Sequence, residues 1–90
     1  MPSIYELFLT NQAKKELSKI KKGNSKAAQA ISHALTLIAE DPGIGEFLHG
    51  DLKGRRKFRV GDYRIIYQAE KKDIIIFVFR IAHRKEVYRS

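Results

Sequence analysis

The stretch Lys57-Phe58-Arg59-Val60-Gly61-Asp62-Tyr63-Arg64-Ile65-Ile66-Tyr67-Gln68-Ala69 decides how this 90-residue chain folds. Two alternating runs flank Gly61-Asp62, a two-residue turn whose glycine supplies the positive φ that tight hairpins require. Period-two alternation puts Phe58, Val60, Tyr63, Ile65 and Tyr67 on one face, and Lys57, Arg59, Arg64, Ile66 and Gln68 on the other. With Gly61-Asp62 as the whole loop, Val60 opposes Tyr63 and Arg59 opposes Arg64. Their Cβ atoms are then about 5 Å apart, a like-charge pairing that is normally unfavourable. Arginine cannot escape it by losing its proton. Either water and flexible side chains disperse the repulsion, or an anion sits between the two groups. Two arginines and a lysine with no acid beside them on that face read as a phosphate clamp.

Downstream, Glu70-Lys71-Lys72-Asp73 is a second turn. Ile74 to Ala82 is apolar on both faces, as in a strand covered on both sides. Upstream, residues 42–54 contain Pro42, Gly43, Gly45, Gly50 and Gly54 and read as loop, pinned by Leu48 and Leu52. Ile4 to Leu9 is a short apolar strand. Thr10 or Asn11 caps a helix with the stripe Ala13, Leu17 and Ile20, stopped by Gly23. Asn24 or Ser25 caps another, with the stripe Ala27, Ile31, Ala34, Leu35 and Ile38, ended before Pro42. The small alanines let the helices approach as an antiparallel hairpin. The order β-α-α-β-β-β describes a single α+β domain over residues 1–90. A helical hairpin is packed on one face of a twisted antiparallel sheet. His83 to Ser90 is too short to assign.

The charge is segregated. Residues 1–52 hold six lysines and six Asp or Glu; residues 53–90 hold twelve Lys or Arg against four acids, and so the whole net charge of +8. Solubility needs a modest net charge but not its confinement to one segment, which points to a polyanionic partner, nucleic acid before acidic protein. With no cysteine there is no disulfide scaffold or thiol nucleophile, and three scattered histidines do not form a metal site by spacing. No run approaches the roughly 20 apolar residues of a membrane span. Met1-Pro2-Ser3-Ile4-Tyr5-Glu6 lacks the basic and apolar regions of a signal peptide, so the expected compartment is the cytoplasm.

His83-Arg84-Lys85-Glu86-Val87-Tyr88 adds other chemistry at the end of the last strand. Imidazole carries protons near neutral pH, and Arg84 brings a fixed charge. Taken singly, His83 reads as a loop histidine bonded to backbone, and Tyr88 as a staple closing the core.

Arg59-Val60-Gly61-Asp62-Tyr63-Arg64-Ile65-Ile66-Tyr67, an apolar strand, and then His83-Arg84-Lys85-Glu86-Val87-Tyr88 resemble the RelE branch of the RelE/ParE toxin superfamily. The opening strand, Ala13-Lys14-Lys15-Glu16-Leu17, and the spacing of Leu48, Gly50, Leu52 and Gly54 are also similar. The resemblance implies a toxin of a type II toxin–antitoxin pair that enters the ribosomal A site and cuts messenger RNA. The 2′-hydroxyl attacks the adjacent phosphate, and neither metal nor cofactor takes part. By position it implies catalytic roles for Lys57, Arg59, Arg64, His83, Arg84 and Tyr88. Lys53, Arg55, Arg56 and Lys85 join Lys57, Arg59 and Arg64 as expected phosphate-binding residues. Arg59 and Arg64 suit charge stabilisation because they stay protonated and fork toward phosphate oxygens. Lys57, Tyr88 and His83 remain alternatives for proton transfer, because Arg59 stands where some relatives carry lysine. The implied partners are an acidic antitoxin, the ribosome and mRNA, with a monomer alone and a heterotetramer with the antitoxin. A ParE-like gyrase poison acting by binding, and an inactive toxin serving as corepressor, are the competing readings.

Overall fold

A computed structural model describes residues 4–50 and 54–87 of the chain. Strand β1 (Glu6–Leu9) leads into helices α1 (Asn11–Gly23) and α2 (Ser25–Glu40), and a 3-10 turn at Pro42–Ile44 precedes the two-residue strand β2 (Glu46–Phe47). Strands β3 (Arg56–Val60), β4 (Tyr63–Glu70) and β5 (Ile75–His83) follow, and a single helical turn, α3 (Arg84–Val87), ends the described chain.

The strands form one sheet in the order β1-β5-β4-β3-β2. All pairings are antiparallel except that of β1, which runs parallel to β5 with Phe8 opposite Phe77. The sheet is therefore mixed rather than wholly antiparallel, because β1 adds to the β5 edge of the meander and runs in the same direction as β5. β2 is a further strand inside the glycine-rich loop, too short to show any alternation.

Both helices start at residues expected to cap them, whereas α1 closes on Asn24 and not on Gly23, which is its last helical residue. Thr10 Oγ1 accepts the Ala13 N–H at 3.1 Å and donates to the Phe79 carbonyl at 3.0 Å, tying the α1 cap to β5. The Asn24 N–H closes α1 on the Ile20 carbonyl, and its side-chain Oδ1 accepts the Ala27 N–H to open α2. One residue thus turns the chain between two antiparallel helices.

Ala13, Ile31, Ala34, Leu35 and Ile38 from the helices pack on Ile65, Tyr67, Ile76, Val78 and Ile81 from the sheet. Seven of the core side chains are almost completely removed from water, Ile31, Ile38, Ile65, Ile76, Ile81, Val78 and Tyr67. Each such aliphatic group contributes about 1.5–3 kcal/mol of transfer free energy. Ala28 and Ala39 are also buried while Ala27 is half-buried, so the α2 stripe is wider than its five-residue pattern suggests. Leu48 is half-buried as the loop reading requires; Leu52 lies outside the described residues. Among the described residues no helix is long and apolar enough to cross a membrane.

Candidate functional site

The hairpin has the register the alternation dictates. Val60 pairs with Tyr63 and Arg59 with Arg64, and of the two turn residues only Gly61 has positive φ, at 58°. Glycine at the first central position with an ordinary second residue is the II′ arrangement. The two arginines do not share an environment, however. Arg59 is exposed, whereas Arg64 is 4% exposed. β4 is an interior strand, and Arg64 lies between Arg59 on one side and Ala82 on the other. β2 ends opposite Lys57, so among the described residues β3 is an edge beyond that point and Arg59 has a strand beside it only on the β4 side.

Two recesses open on this side of the molecule, and both are lined by Arg59 and Arg64. One, of about 360 Å³, also takes in Glu46, Lys57 and Phe58. The other, of about 380 Å³, takes in Gly61, Arg84 and Lys85. Glu46 corrects the sequence reading that no acid neighbours the three cations. It stands directly opposite Lys57 in the β2–β3 ladder and therefore shares its face. Its strand was invisible in a run of glycines, so Glu46 carried no signal as a site residue.

Arg84 is brought to the recess by α3. Its backbone N–H donates to the Asp62 carbonyl at 2.7 Å, docking the helical turn on the hairpin loop. Its Nε is 3.9 Å from the Asp62 carboxylate, with both side chains largely in water. A pair so exposed holds Arg84 weakly and leaves its charge available to a ligand.

His83 goes elsewhere. A β-bulge shifts the β4–β5 register: Tyr67 opposes Val78 but Ile66 opposes Arg80, and the extra residue, Phe79, changes the parity of everything after it. Ile81 consequently joins the core, Ala82 falls opposite Arg64, and His83 falls opposite Tyr63 on the helix side. The imidazole meets the Tyr63 ring edge-on with centroids 5.5 Å apart, and its Nδ1 accepts the Lys85 N–H at 3.3 Å. It lines a separate groove of about 590 Å³ beside α1, with Glu16, Tyr63 and Arg80. Glu16 stabilises the bulge. One carboxylate oxygen accepts Arg80 Nε and Nη2 at 2.9 and 2.7 Å, and the other accepts the Ile81 N–H at 2.8 Å.

Of the remaining basic residues, Arg56 and Arg55 point to opposite faces. Arg56 Nη1 donates to the Gly45 carbonyl at 2.7 Å, and its guanidinium lies 3.7 Å over the Phe47 ring. It holds β2 in place, and that structural duty competes with the phosphate contact expected from its charge. Arg55 lies 3.8 Å over the Phe79 ring. Lys53 and Tyr88 lie outside the described residues.

Tyr67 completes the support of β2. Its hydroxyl donates to the Pro42 carbonyl at 2.6 Å and accepts the Gly45 N–H at 3.0 Å. Burial pushes this phenol above its ordinary pKa, against the opposing pull of the Gly45 N–H and the Arg56 charge. A Cβ on Gly45 would come within 2.5 Å of the Tyr67 hydroxyl and 2.8 Å of the Lys57 carbonyl. Glycine there is what lets the loop reach the sheet and put Glu46 beside Lys57.

A helical hairpin laid on a five-stranded mixed sheet is the fold shared with solved RelE and YoeB toxins. The chain belongs to the family of ParE toxins of type II toxin–antitoxin systems, which it matches over residues 7–88. It is 26% identical over 86 residues to toxin RelG of Mycobacterium tuberculosis, covering 94% of this chain and 97% of that one. The toxin–antitoxin complex RelBE2 of the same organism contains a chain of the same fold, with TM-score 0.82, 22% identity, and 93% of this chain and 95% of that one covered. The isolated RelE toxin of E. coli also shares the fold, with TM-score 0.74, 24% identity, and 93% and 90% of the two chains covered.

Proposed function

We propose that this toxin is a ribosome-dependent endoribonuclease that cuts messenger RNA in the A site by attack of a ribose 2′-hydroxyl on the adjacent phosphate. The observation that carries the reading is that Arg59 and Arg64 are common to two recesses of different chemistry. A phosphate held between them has Glu46 and Lys57 on one side and Arg84 and Lys85 on the other. In-line transfer needs that polarity: a proton acceptor at the attacking oxygen, fixed positive charge at phosphorus, and a donor at the leaving oxygen.

In this assignment Glu46 takes the 2′-hydroxyl proton as the 2′-oxygen bonds to phosphorus. Lys57 beside it orients the hydroxyl. Arg59 and Arg64 stabilise the added negative charge on the phosphoryl oxygens, which they do without changing protonation state. The bond to the 5′-oxygen breaks, and that oxygen leaves with a proton from the Lys85 ammonium, next to the fixed charge of Arg84. A 2′,3′-cyclic phosphate and a 5′-hydroxyl result. His83, on the helix face, then acts by positioning the start of α3 through its bond to the Lys85 N–H. The role of Tyr88 rests on the resemblance alone.

The same reading gives the toxin an antitoxin partner whose acidic segments meet the cationic cleft, in a heterotetramer. Its working compartment is the cytoplasm, where ribosomes are. Primer extension on mRNA from cells expressing the chain tests it: new 5′ ends inside translated codons, suppressed by the antitoxin, are expected. A second reading, a gyrase poison acting by binding, is favoured by the match to ParE toxins. Cleaved DNA–gyrase complexes accumulating without any mRNA cuts would replace the first reading with the second.

A further inference from the structure

The outer face of the sheet, away from the helices, continues past the recess. Arg59, Lys57 and Arg55 follow one another at alternate positions along β3 and its lead-in, spaced about 6.7 Å per pair of residues in an extended strand. Arg55 lies over Phe79, 3.8 Å from the ring centroid. Beyond it Phe77 and Phe8 are direct partners in the β1–β5 ladder, with ring centroids 6.1 Å apart and planes 30° apart. Phe77 is 39% exposed and Phe8 47% exposed. Aromatic rings left in water beside a row of cations require an explanation that the core does not provide.

We propose that this face is a nucleobase platform for single-stranded RNA. Bases that follow one another on one side of the phosphate held by Arg59 and Arg64 stack on the Arg55–Phe79 pair and then on the Phe77–Phe8 pair. The inference rests on the nuclease reading and adds to it the surface that positions the strand. Charge complementarity favours this occupant, since a phosphate chain matches a ladder of single cations along one edge of an apolar strip. A guanidinium already resting on a phenyl ring also presents its other plane to a second flat group. A nucleobase provides that flat group, and an aliphatic side chain from a partner protein does not. Stacking of this kind tolerates any base, so the platform sets the path of the strand rather than its sequence.

The test uses fluorescence anisotropy with the full chain. A short single strand with 2′-deoxy nucleotides, which cannot be cut, is compared with an abasic strand carrying the same phosphates. Wild type is expected to bind the base-bearing strand roughly five- to hundred-fold more tightly, the range of one stacked base. Phe77→Leu keeps the apolar volume without the ring, and Arg55→Lys keeps the charge without the plane. Each is expected to lower that ratio several-fold and to leave the salt dependence unchanged. Equal affinities for the two strands in wild type, or a ratio that survives both substitutions, overturn the platform. A ratio that survives while Phe77→Leu weakens antitoxin binding also overturns it and makes the face a protein surface. Failure of wild type to bind either strand, together with absent mRNA cuts, overturns the nuclease reading instead.

Discussion

Arg59 and Arg64 face one another across the β3–β4 ladder, yet Arg59 lies in solvent and Arg64 is 4% exposed. Water around Arg59 screens the pairing, while the burial of Arg64 strengthens the pull of an anion placed between the two groups. The same asymmetry divides their work. A buried guanidinium acts at short range in low dielectric, while an exposed one mostly attracts and steers.

Arg64→Lys keeps the charge but loses the planar fork, and is expected to lower the cleavage rate by about 10²–10³, the loss typical of one preorganised charge donor. Arg59→Gln is expected to act mainly on binding, reducing the slope of log affinity against log salt by about one. Single-turnover cleavage on programmed ribosomes and salt titrations check the two outcomes separately. Circular dichroism, on which both variants should match wild type, checks that they remain folded.

Glu46 and His83 have different expectations. Glu46→Gln preserves shape and removes the acceptor, so the rate should fall by about 10²–10⁴. His83→Phe retains an aromatic edge against Tyr63 but removes the acceptor of the Lys85 N–H, so cleavage should fall only several-fold, as expected for a positioning residue. A rate lost in His83→Phe and retained in Glu46→Gln would reverse the assignment of proton transfer.

Tyr67→Phe leaves the Pro42 carbonyl and the Gly45 N–H without their partner, at about 1–3 kcal/mol of stability by urea denaturation. The pH dependence has a definite sign. Because the native phenol titrates above its unfolded value, its contribution is complete below the ordinary phenol pKa. It is lost as pH rises through the folded pKa. Wild type should therefore lose stability in alkali more steeply than the Phe variant. Gly45→Ala, whose methyl would collide with the Tyr67 hydroxyl and the Lys57 backbone, should cost about 1–3 kcal/mol. Displacement of Glu46 should lower cleavage at the same time.

Glu16→Ala strips the bulge of its carboxylate. The Ile81 N–H and the Arg80 guanidinium lose three bonds, and a loss of about 1–3 kcal/mol is expected from thermal or urea unfolding. Heteronuclear NMR should show amide shifts spreading from Ile81 to His83 and Arg84, since the bulge sets their parity.

Local rules made much of the fold legible. The Gly61-Asp62 turn and the alternation around it specify a register. The helical stripes and their Thr10 and Asn24 caps depend on neighbours three or four residues away. From the register came Lys57 on one face with Arg59 and Arg64, and so half of the candidate site.

The other half was decided by contacts between distant parts of the chain. Glu46 reaches Lys57 only because Tyr67 and Arg56 hold a glycine-rich loop against the sheet edge. Arg64 lies between Arg59 and Ala82 because β4 is an interior strand, a fact of strand order. His83 leaves the arginine face because one extra residue at Phe79, stabilised by a carboxylate on α1, reverses the alternation. Sequence alone determines what each short segment prefers, since those preferences come from torsion angles and nearby hydrogen bonds. Which side chains share a cleft depends on the packing that brings segments together, and there a single inserted residue outweighs any local preference.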